Sequence, residues 1–297
     1  MRFQFIDAHT QQFSIQRMCK VLQVSRSGYY AWRGRPVSAR EMANQALVEE
    51  IRAVHRASRE TYGSPRVYQA LRQRGVACSR NRVARLMRQH GIVAKQTRRF
   101  TRTTKAHPDH AVAPNRLSRP FQSSRPDEIW MSDITYIPTD EGWLYLSMVM
   151  DLFSRRIVGW GMNTRLTTAL VEQALRMALA QREPAPGLIH HSDRGSQYTS
   201  EHYQTLLTKH GILPSMSAVG NCYDNAPMES AFGTLKCELI HHRHYETRHE
   251  ARVDIFDYVE VFYNRQRLHS SLGYQSPMAF EQAFASESSM LALCPQN

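Results

Sequence analysis

The sequence contains no apolar run long enough to cross a bilayer, and its first residues, MRFQFIDAHT, lack the apolar stretch and cleavage site of a signal peptide. Cysteine is also scarce. The five cysteines are scattered and form no Cys-x-x-Cys pair: Cys19, Cys78, Cys222, Cys237 and Cys294. This pattern argues against a disulfide framework or a zinc ribbon and favours free thiols in a reducing compartment. We therefore expect a cytoplasmic protein that makes no membrane contact.

Acidic residues are scarce in the first third of the chain. Residues 1–105 hold 22 Lys and Arg against 5 Asp and Glu, whereas residues 106–297 hold 16 against 21. The net charge of +12 therefore comes entirely from the first third. Such segregated basicity predicts a polyanionic partner, most simply nucleic acid, although a solvated basic surface is the alternative.

Two N-terminal stretches have the pattern of a helix-turn-helix. Residues 14–33 place apolar residues at helical spacing before a short break, after which Ser25 or Ser27 caps a second helix. A helix, a short turn and a capped helix form the shape of a helix-turn-helix, so Arg26 is a candidate DNA contact.

A further helix is predicted over residues 43–57, and a second helix pair follows it. The first helix of the pair ends at Gly75, and the second begins after its cap, Ser79, and ends at Gly91. The second helix directs its arginines outward, and these are candidate DNA contacts: Arg80, Arg82, Arg85 and Arg88. A plain helical hairpin is the alternative for either unit.

The composition then divides the chain. Residues 95–125 have almost no apolar periodicity and are rich in Arg, Thr, Pro and Ser, which predicts an extended basic linker. The predicted plan has a helix-turn-helix-like segment over residues 1–42 and a second such domain, which binds DNA, over residues 43–94. The linker over residues 95–125 leads to an α/β catalytic domain over residues 126–285, and a tail follows over residues 286–297.

From residue 126 onward the sequence alternates between strand and helix patterns. Three predicted strands are followed by a helix, a strand, a helix, a strand and further helices, the last around residues 247–264. This is the order of a ribonuclease H-like domain, in which helices flank both faces of a mixed five-stranded sheet. The predicted fold class is therefore α/β, with a ribonuclease H-like catalytic core preceded by an all-α helix-turn-helix region.

Three carboxylates lie on three separate predicted elements. Asp133 is inside the first strand, where a buried acid is costly unless a partner or a metal neutralises it. Asp193 follows the fourth strand, and α/β sheets place functional groups at strand ends. Glu229 lies one turn into a helix. Such oxygen ligands suit Mg²⁺, and two ions about 3.5–4 Å apart would activate an attacking oxygen and stabilise a leaving one at a phosphodiester.

Each acid taken alone has an ordinary structural explanation. A strand aspartate such as Asp133 can accept hydrogen bonds, a turn aspartate such as Asp193 can form an Asx-turn, and Glu229 can stabilise a helix start. The surrounding motifs decide between the two explanations. They are WxSDITY at 130–136, HSDRGSQY at 191–198, NxxDNAxxES at 221–230 and YNxxRxHSSLGYxSP at 263–277.

These motifs resemble those of DDE transposases of the insertion-sequence-three family, and more distantly those of retroviral integrases. Thirty-five residues separate Asp193 from Glu229, which is the family's spacing. VSRSGYYAW at 24–32 and YGSPRV at 62–67 also fit, so the resemblance covers nearly the whole chain. It implies that Asp133, Asp193 and Glu229 are catalytic and bind the metal, Mg²⁺ or Mn²⁺, as two ions.

The resemblance also implies a reaction and partners. Water would free a 3′-OH at the end of the element, and this 3′-OH would then attack target DNA. The expected partners are double-stranded DNA at the element ends and the target, further copies of this chain on that DNA, and an upstream-frame protein that supplies a leucine zipper by frameshift fusion. The chain has its own Met and no heptad run, so it is expected to be part of the active enzyme, nucleoid-associated in the bacterial cytoplasm.

Several other residues near the acids are candidates. Lys236 lies two helical turns after Glu229 on the same face and is predicted to hold a DNA phosphate. Arg194 and Gln197 flank Asp193 and are predicted to touch DNA, although either could cap the following helix. Asp224 is predicted to be a helix N-cap rather than a fourth catalytic acid.

A second group is predicted to be structural. Histidines crowd one segment, which contains Cys237, His241, His242 and His244, and His190 and His191 lie upstream of it. The alternatives are a zinc site and a solvated, His-rich helix end, and the second is preferred. The tail residues are expected to pack against the core: Tyr263, Asn264, Arg267 and His269.

Two other functions stay open at this point. One is a DNA-binding regulator with an inactive core, against which the three intact acids argue. The other is a ribonuclease H-like nuclease that cuts without joining, since it would use the same carboxylates. The basic N-terminal region favours recognition of specific ends over indiscriminate cutting.

Overall fold

The computed structural model describes residues 1–95, 113–116, 123–217 and 225–293, so most of the predicted linker lies outside the described residues. The helices are α1 (Arg2–Ala8), α2 (Ile15–Val21), α3 (Arg26–Arg33), α4 (Ala39–Ala57), α5 (Ser64–Gln73), α6 (Arg80–Gln89), α7 (Thr168–Arg182), α8 (Ser196–Thr199), α9 (Glu201–Lys209), α10 (Ala226–Glu238), α11 (Arg248–Phe256) and α12 (Pro277–Leu293). The strands are β1 (Ile129–Ile137), β2 (Leu144–Asp151), β3 (Ile157–Asn163), β4 (Ile189–Ser192) and β5 (Leu213–Met216).

Helices α1–α3 form a small unit with its own core. Ser25 rather than Ser27 caps α3, because its side chain accepts a hydrogen bond from the Gly28 amide at 3.0 Å. Helix α1 was not predicted, since Ile6 is its only buried residue and gives no periodicity. It is tied to α3 by the Tyr29 hydroxyl, which donates to Asp7 at 2.8 Å.

Helices α4–α6 follow the predicted pattern. Ser79 caps α6, its side chain accepting from the Arg82 amide. Gly75 and Gly91 follow α5 and α6 with φ of 77° and 63°, a left-handed conformation that glycine adopts without steric strain. The apolar face of α6 is buried, as expected for an amphipathic helix.

The sheet is mixed and has the strand order β3-β2-β1-β4-β5, which confirms the predicted ribonuclease H-like class. The β1–β2 and β2–β3 pairs are antiparallel, and the β1–β4 and β4–β5 pairs are parallel. Helix α7 covers one face and α10 packs near β1 on the other. Gly159 permits the close approach of α7, since a Cβ there would lie 2.2 Å from the Ala174 carbonyl oxygen.

The helical unit α4–α6 shares one hydrophobic core with the sheet, α10 and the C-terminal segment. Tyr62 forms the central polar contact: its hydroxyl accepts from the Leu268 amide at 2.7 Å and donates to the Gln266 carbonyl at 3.3 Å. Arg59 pairs with Asp257 at 2.8 Å. The two regions therefore form one packed body.

The helix predicted around residues 247–264 changes type partway along. It begins as α11 and continues as a π-helix over Asp257–Tyr263. Where it ends, the Asn264 side chain donates to the carbonyl of Ile157 and accepts from its amide, each at 2.9 Å. This clamp on β3 confirms the predicted packing role of Asn264. No helix within the described ranges combines the length and apolar character that a membrane crossing requires.

Candidate active site

The pairing of β1 with β4 brings the first two acids together. The parallel register joins Trp130 to His190 and Met131 to His191. Continued for two residues, this register places Asp133 alongside Asp193, just beyond the end of β4. The two predicted aspartates therefore meet at the edge where the short parallel strand ends, as expected for α/β sheets.

The two aspartates lie in a setting that disfavours negative charge. Burial raises the pKa of Asp133 to about 8, and the charges of Asp193 and Glu229 add to this shift. A hydrogen bond of 2.8 Å, which Asp133 Oδ1 accepts from the Ile134 amide, opposes it. Burial also raises the pKa of Asp193, whose Oδ1 accepts from the Gly195 amide at 2.9 Å. Close like charges raise the pKa in this way, and a bound cation would favour the ionised carboxylates.

Helix α10 contributes the third acid and a lysine. Glu229 lies exposed in its first turn, close enough for its charge to raise the pKa of Asp133. Two turns later, the Lys236 ammonium lies 5.0 Å from the centroid of the Tyr136 ring, next to Asp133. Burial lowers the pKa of Lys236, and the charge of Asp133 opposes this shift. The structure thus brings Glu229 and Lys236 close to Asp133.

The donor set fits a hard divalent ion, since three carboxylates from separate elements face a region with one nearby ammonium group. Nevertheless, no three His, Cys, Asp or Glu side chains in the described residues are placed to hold an ion as they stand. Glu229 is the acid with freedom to move, because its side chain is exposed.

The histidines make ordinary polar contacts. His242 is 2.8 Å from the Cys237 carbonyl, and His244 is 3.0 Å from Asp140 on the surface. His190 is buried against the Tyr203 hydroxyl at 3.1 Å, and its pKa is lowered to about 3 chiefly by burial. These contacts agree with a structural role.

The predicted DNA contacts are placed differently from one another. Arg26, Arg80, Arg85 and Arg88 are exposed. Arg82 is half-buried and donates to Asn44 at 3.0 Å, so it also holds α6 against α4. Arg194 donates to the Ser217 carbonyl at 2.7 Å, and Gln197 is half-buried in α8.

The residue at the N-cap of α10 is Asn225, whose side chain makes no capping hydrogen bond. The predicted cap is one residue earlier, Asp224, which lies outside the described residues.

Motif analysis did not single out Tyr198. Its hydroxyl shares a buried hydrogen bond of 2.9 Å with Ser132, the residue before Asp133. Tyr198 lies in α8, five residues after Asp193, so this bond joins β1, which carries Asp133, to the helix that follows Asp193. Both residues belong to the quoted motifs, which was the available signal.

Comparison with known proteins agrees with this geometry. The integrase core domain family matches residues 123–222, a second integrase core domain family matches residues 229–284, and an HTH-like domain family matches residues 42–100. Transposase InsF for insertion sequence IS3A of Escherichia coli (strain K12) is 43% identical over 283 residues, which are 95% of this chain and 98% of that protein. The insertion element IS600 uncharacterized 31 kDa protein of Shigella sonnei is 45% identical over 267 residues, 90% of this chain and 98% of that protein.

Solved structures of retroviral integrases are also similar, at low identity. An intasome of simian T-cell lymphotropic virus in complex with PP2A regulatory subunit B56 gamma has a TM-score of 0.46 and 16% identity, over 77% of this chain and 73% of that one. The HTLV-2 integrase catalytic core domain in complex with magnesium has a TM-score of 0.40 and 15% identity, over 54% of this chain and 99% of that one.

The integrase core, with its mixed sheet and acidic edge, defines the class as a polynucleotidyl transferase of the integrase type. Identity of 43% to the IS3A transposase over 95% of the chain then shows the family within this class. The chain belongs to the IS3 family of insertion-sequence transposases, as its motifs indicated, and it is an enzyme that acts on DNA.

Proposed function

We propose that Asp133, Asp193 and Glu229 together hold two divalent ions, Mg²⁺ or Mn²⁺, for cleavage at the element ends and joining of the freed ends to target DNA. When bound, such ions supply Lewis acidity and activate the attacking oxygen. The observation that carries the proposal is the β1–β4 register, which sets Asp133 beside Asp193, together with the approach of Glu229 on α10 to Asp133.

The protein's own groups have distinct tasks in this proposal. The three carboxylates bind the ions and fix their positions relative to the sheet. Lys236 is held by the Tyr136 ring at the border of the acidic cluster, where an ammonium group can pair with a DNA phosphate. Arg194 and Gln197, near Asp193, are proposed to contact the same DNA.

The test uses the full chain and a labelled duplex that carries the end of the element. With Mg²⁺ or Mn²⁺ we expect both cleaved 3′-OH ends and joined products on a gel, and with EDTA neither. Cleavage without joining would support the nuclease alternative. Binding without any strand breakage, with either metal, would support the regulator instead.

DNA affinity is proposed to come mainly from the exposed N-terminal arginines, on α6 and at Arg26. The chain acts as an oligomer on DNA, with an upstream-frame protein as a further partner, at the bacterial nucleoid. The proposed domains keep the predicted boundaries, 1–42, 43–94 and 126–285. Since the second of these shares a core with the third, binding is best measured on the full chain.

Substitution of the α6 arginines should reduce the salt dependence of binding. Arg85→Gln and Arg88→Gln should each lower the slope of log affinity against log salt by about 0.9, because each loses one phosphate contact on duplex DNA. Fluorescence anisotropy over a salt series measures this slope. Arg52→Gln, on the exposed side of α4 where Arg52 pairs with Glu49 at 2.7 Å, is the matched control. Unchanged slopes in both α6 variants would remove this helix from the DNA interface.

Tyr198 is proposed to be a positioning residue. Tyr198→Phe should lower the free energy of unfolding by about 1–2 kcal/mol, because the Ser132 hydroxyl loses its buried partner. It should slow strand transfer roughly tenfold, about 1.4 kcal/mol in the barrier, at unchanged DNA affinity.

The double variant Tyr198→Phe with Ser132→Ala separates positioning from stability. Removal of both partners leaves no unsatisfied hydroxyl, so stability should recover towards the wild-type value. The rate should stay low, because the bond between β1 and the helix that follows Asp193 is still missing. Denaturant melts and single-turnover rates are the measurements, and recovery of both quantities would show a purely structural role.

A further inference from the structure

A cavity of about 910 Å³ adjoins the catalytic helix on a side that the proposed reaction does not use. Its walls come from α5, the turn between β2 and β3, α10 and the tail motif at 263–277. Ser230, the neighbour of Glu229, and Thr234 line it from α10, and Ser270 and Ser271 line it from the tail. Hydroxyl groups from two elements thus face the same space.

Three arginines line this cavity and give it a positive charge: Arg66, Arg155 and Arg267. Glu238 faces them as a counter-charge. It holds Arg267 in a bidentate pair, with contacts of 2.7 and 2.8 Å, and lies 4.0 Å from Arg66. The buried Asp151 also acts on Arg155 through its charge, so two carboxylates against three guanidinium groups leave an excess of one positive charge.

His269, which also lines the cavity, responds to this charge. Its pKa is lowered to about 3, first by burial and then by the charges of Arg267, Arg66 and Arg155. The ring is therefore neutral at physiological pH and adds no positive charge of its own. It lies 3.2 Å from Arg267 and against the ring of Tyr263.

Arg155 is the group that points most clearly to a ligand. It is half-buried and has φ of 60°, a backbone conformation that arginine rarely adopts. Burial lowers the pKa of its guanidinium, and the charges of Tyr263 and the buried Asp151 oppose that shift. Within the described part of the chain, the guanidinium makes no direct ion pair. A guanidinium that is drawn out of water in a strained turn, with no direct ion pair there, can take an anion as its partner.

We propose that this cavity, between α5, α10 and the tail, is a phosphate-binding site that takes a backbone phosphate of the DNA strand lying across α10. Guanidinium groups and hydroxyls are the donors that recognise phosphate oxygens. Ser230, which lines the site, is the chain neighbour of Glu229. A phosphate bound there would therefore fix the DNA strand relative to the three acids. This inference rests on the proposed function for its choice of DNA, whereas the same chemistry would accept a free phosphate compound.

The test compares full-length wild type with Arg155→Asn, Arg155→Lys and, as a matched control, Arg176→Gln. Asparagine tolerates the left-handed backbone well, so Arg155→Asn removes the charge without destabilising the turn. Arg176 is exposed on α7 and lies 3.7 Å from Glu172. All measurements omit divalent metal, so they do not depend on the three carboxylates.

The first arm is thermal denaturation with inorganic pyrophosphate against NaCl at equal ionic strength. Pyrophosphate should raise the Tm of the wild type, Arg155→Lys and Arg176→Gln, but not that of Arg155→Asn. The second arm is anisotropy with the element-end duplex. Arg155→Asn should bind about tenfold more weakly, and its log–log salt slope should be lower by about 0.9, with Arg155→Lys close to wild type.

The two arms distinguish the sources of phosphate. A changed salt slope supports a DNA phosphate in the cavity. A pyrophosphate effect that depends on Arg155, with an unchanged slope, supports the phosphate site but assigns it to a free phosphate compound. If Arg155→Asn matches the wild type in both arms, the site is overturned, whatever the outcome of cleavage and joining assays.

Discussion

Asp133→Asn, Asp193→Asn and Glu229→Gln are each expected to lower cleavage and joining by about a thousandfold or more while DNA affinity stays within about twofold. Each change removes one carboxylate ligand. A loss of about 4 kcal/mol in transition-state stabilisation, within the range for displaced catalytic metal, corresponds to that factor. Affinity should persist because the exposed arginines on α6 and α3 are unaffected.

Product formation with Mg²⁺ and with Mn²⁺ measures the loss. A second readout needs no catalysis: Mn²⁺ should raise the Tm of the wild type and have a much smaller effect in each variant, because binding to the folded state stabilises it. Glu201→Gln, at the exposed start of α9, is the control for loss of one negative charge. A variant with full activity and an unchanged Mn²⁺ effect would remove that residue from the site.

Glu238→Gln is expected to lower the free energy of unfolding by about 3–5 kcal/mol, the usual effect of breaking a buried ion pair by removing one partner. Glu238 and Arg267 are 9% and 4% exposed, so neither charge has water as a substitute partner. The Glu238 carboxylate also accepts from the Tyr258 hydroxyl at 2.7 Å. Without this carboxylate, Arg267 would lose the counter-charge that offsets its repulsion by Arg66.

Urea denaturation of the full chain measures this effect. Glu246→Gln, a change of the same kind at an exposed glutamate, should stay within about 0.5 kcal/mol of wild type. If the cavity binds phosphate, pyrophosphate should restore part of the stability that Glu238→Gln loses. A change below about 1 kcal/mol in Glu238→Gln would mean that Arg267 does not depend on this pair.

Local patterns predicted the elements that carry the acids, because these elements obey short-range rules. The alternation around Asp133 gave β1, the short apolar run before Asp193 gave β4, and the caps Ser25 and Ser79 gave α3 and α6. The strand order predicted a mixed sheet, but the parallel contact between β1 and β4 came from the structure. The family motifs then singled out Glu229, which as one exposed helix residue gives no signal of its own.

Long-range contacts could not be predicted in this way. Tyr62 lies more than 200 positions from Gln266 and Leu268, and no periodicity in either segment indicates that they touch. The left-handed backbone of Arg155 was equally hidden, since arginine seldom adopts it. The excess charge in the cavity became visible only when α5, the β2–β3 turn, α10 and the tail were seen together.

The π-helix at Asp257–Tyr263 sets the orientation of everything after it. A π turn closes its hydrogen bond over five residues instead of four, as the amides of Asn264 and Arg267 do with the carbonyls of Val259 and Phe262. Such a turn is equivalent to one residue inserted into an α-helix, and each residue of an α-helix rotates the next by about 100°.

Deletion of one residue here, for example the partly exposed Val261, would therefore let α11 run on as a regular helix. Tyr263 would then turn away from the cavity, and Asn264 away from its clamp on β3, although the sequence of the tail would be intact. The π-helix thus determines which way the residues of the tail motif face. The loss of a single residue there, far from the three acids, would remove both this wall of the cavity and the anchor of β3.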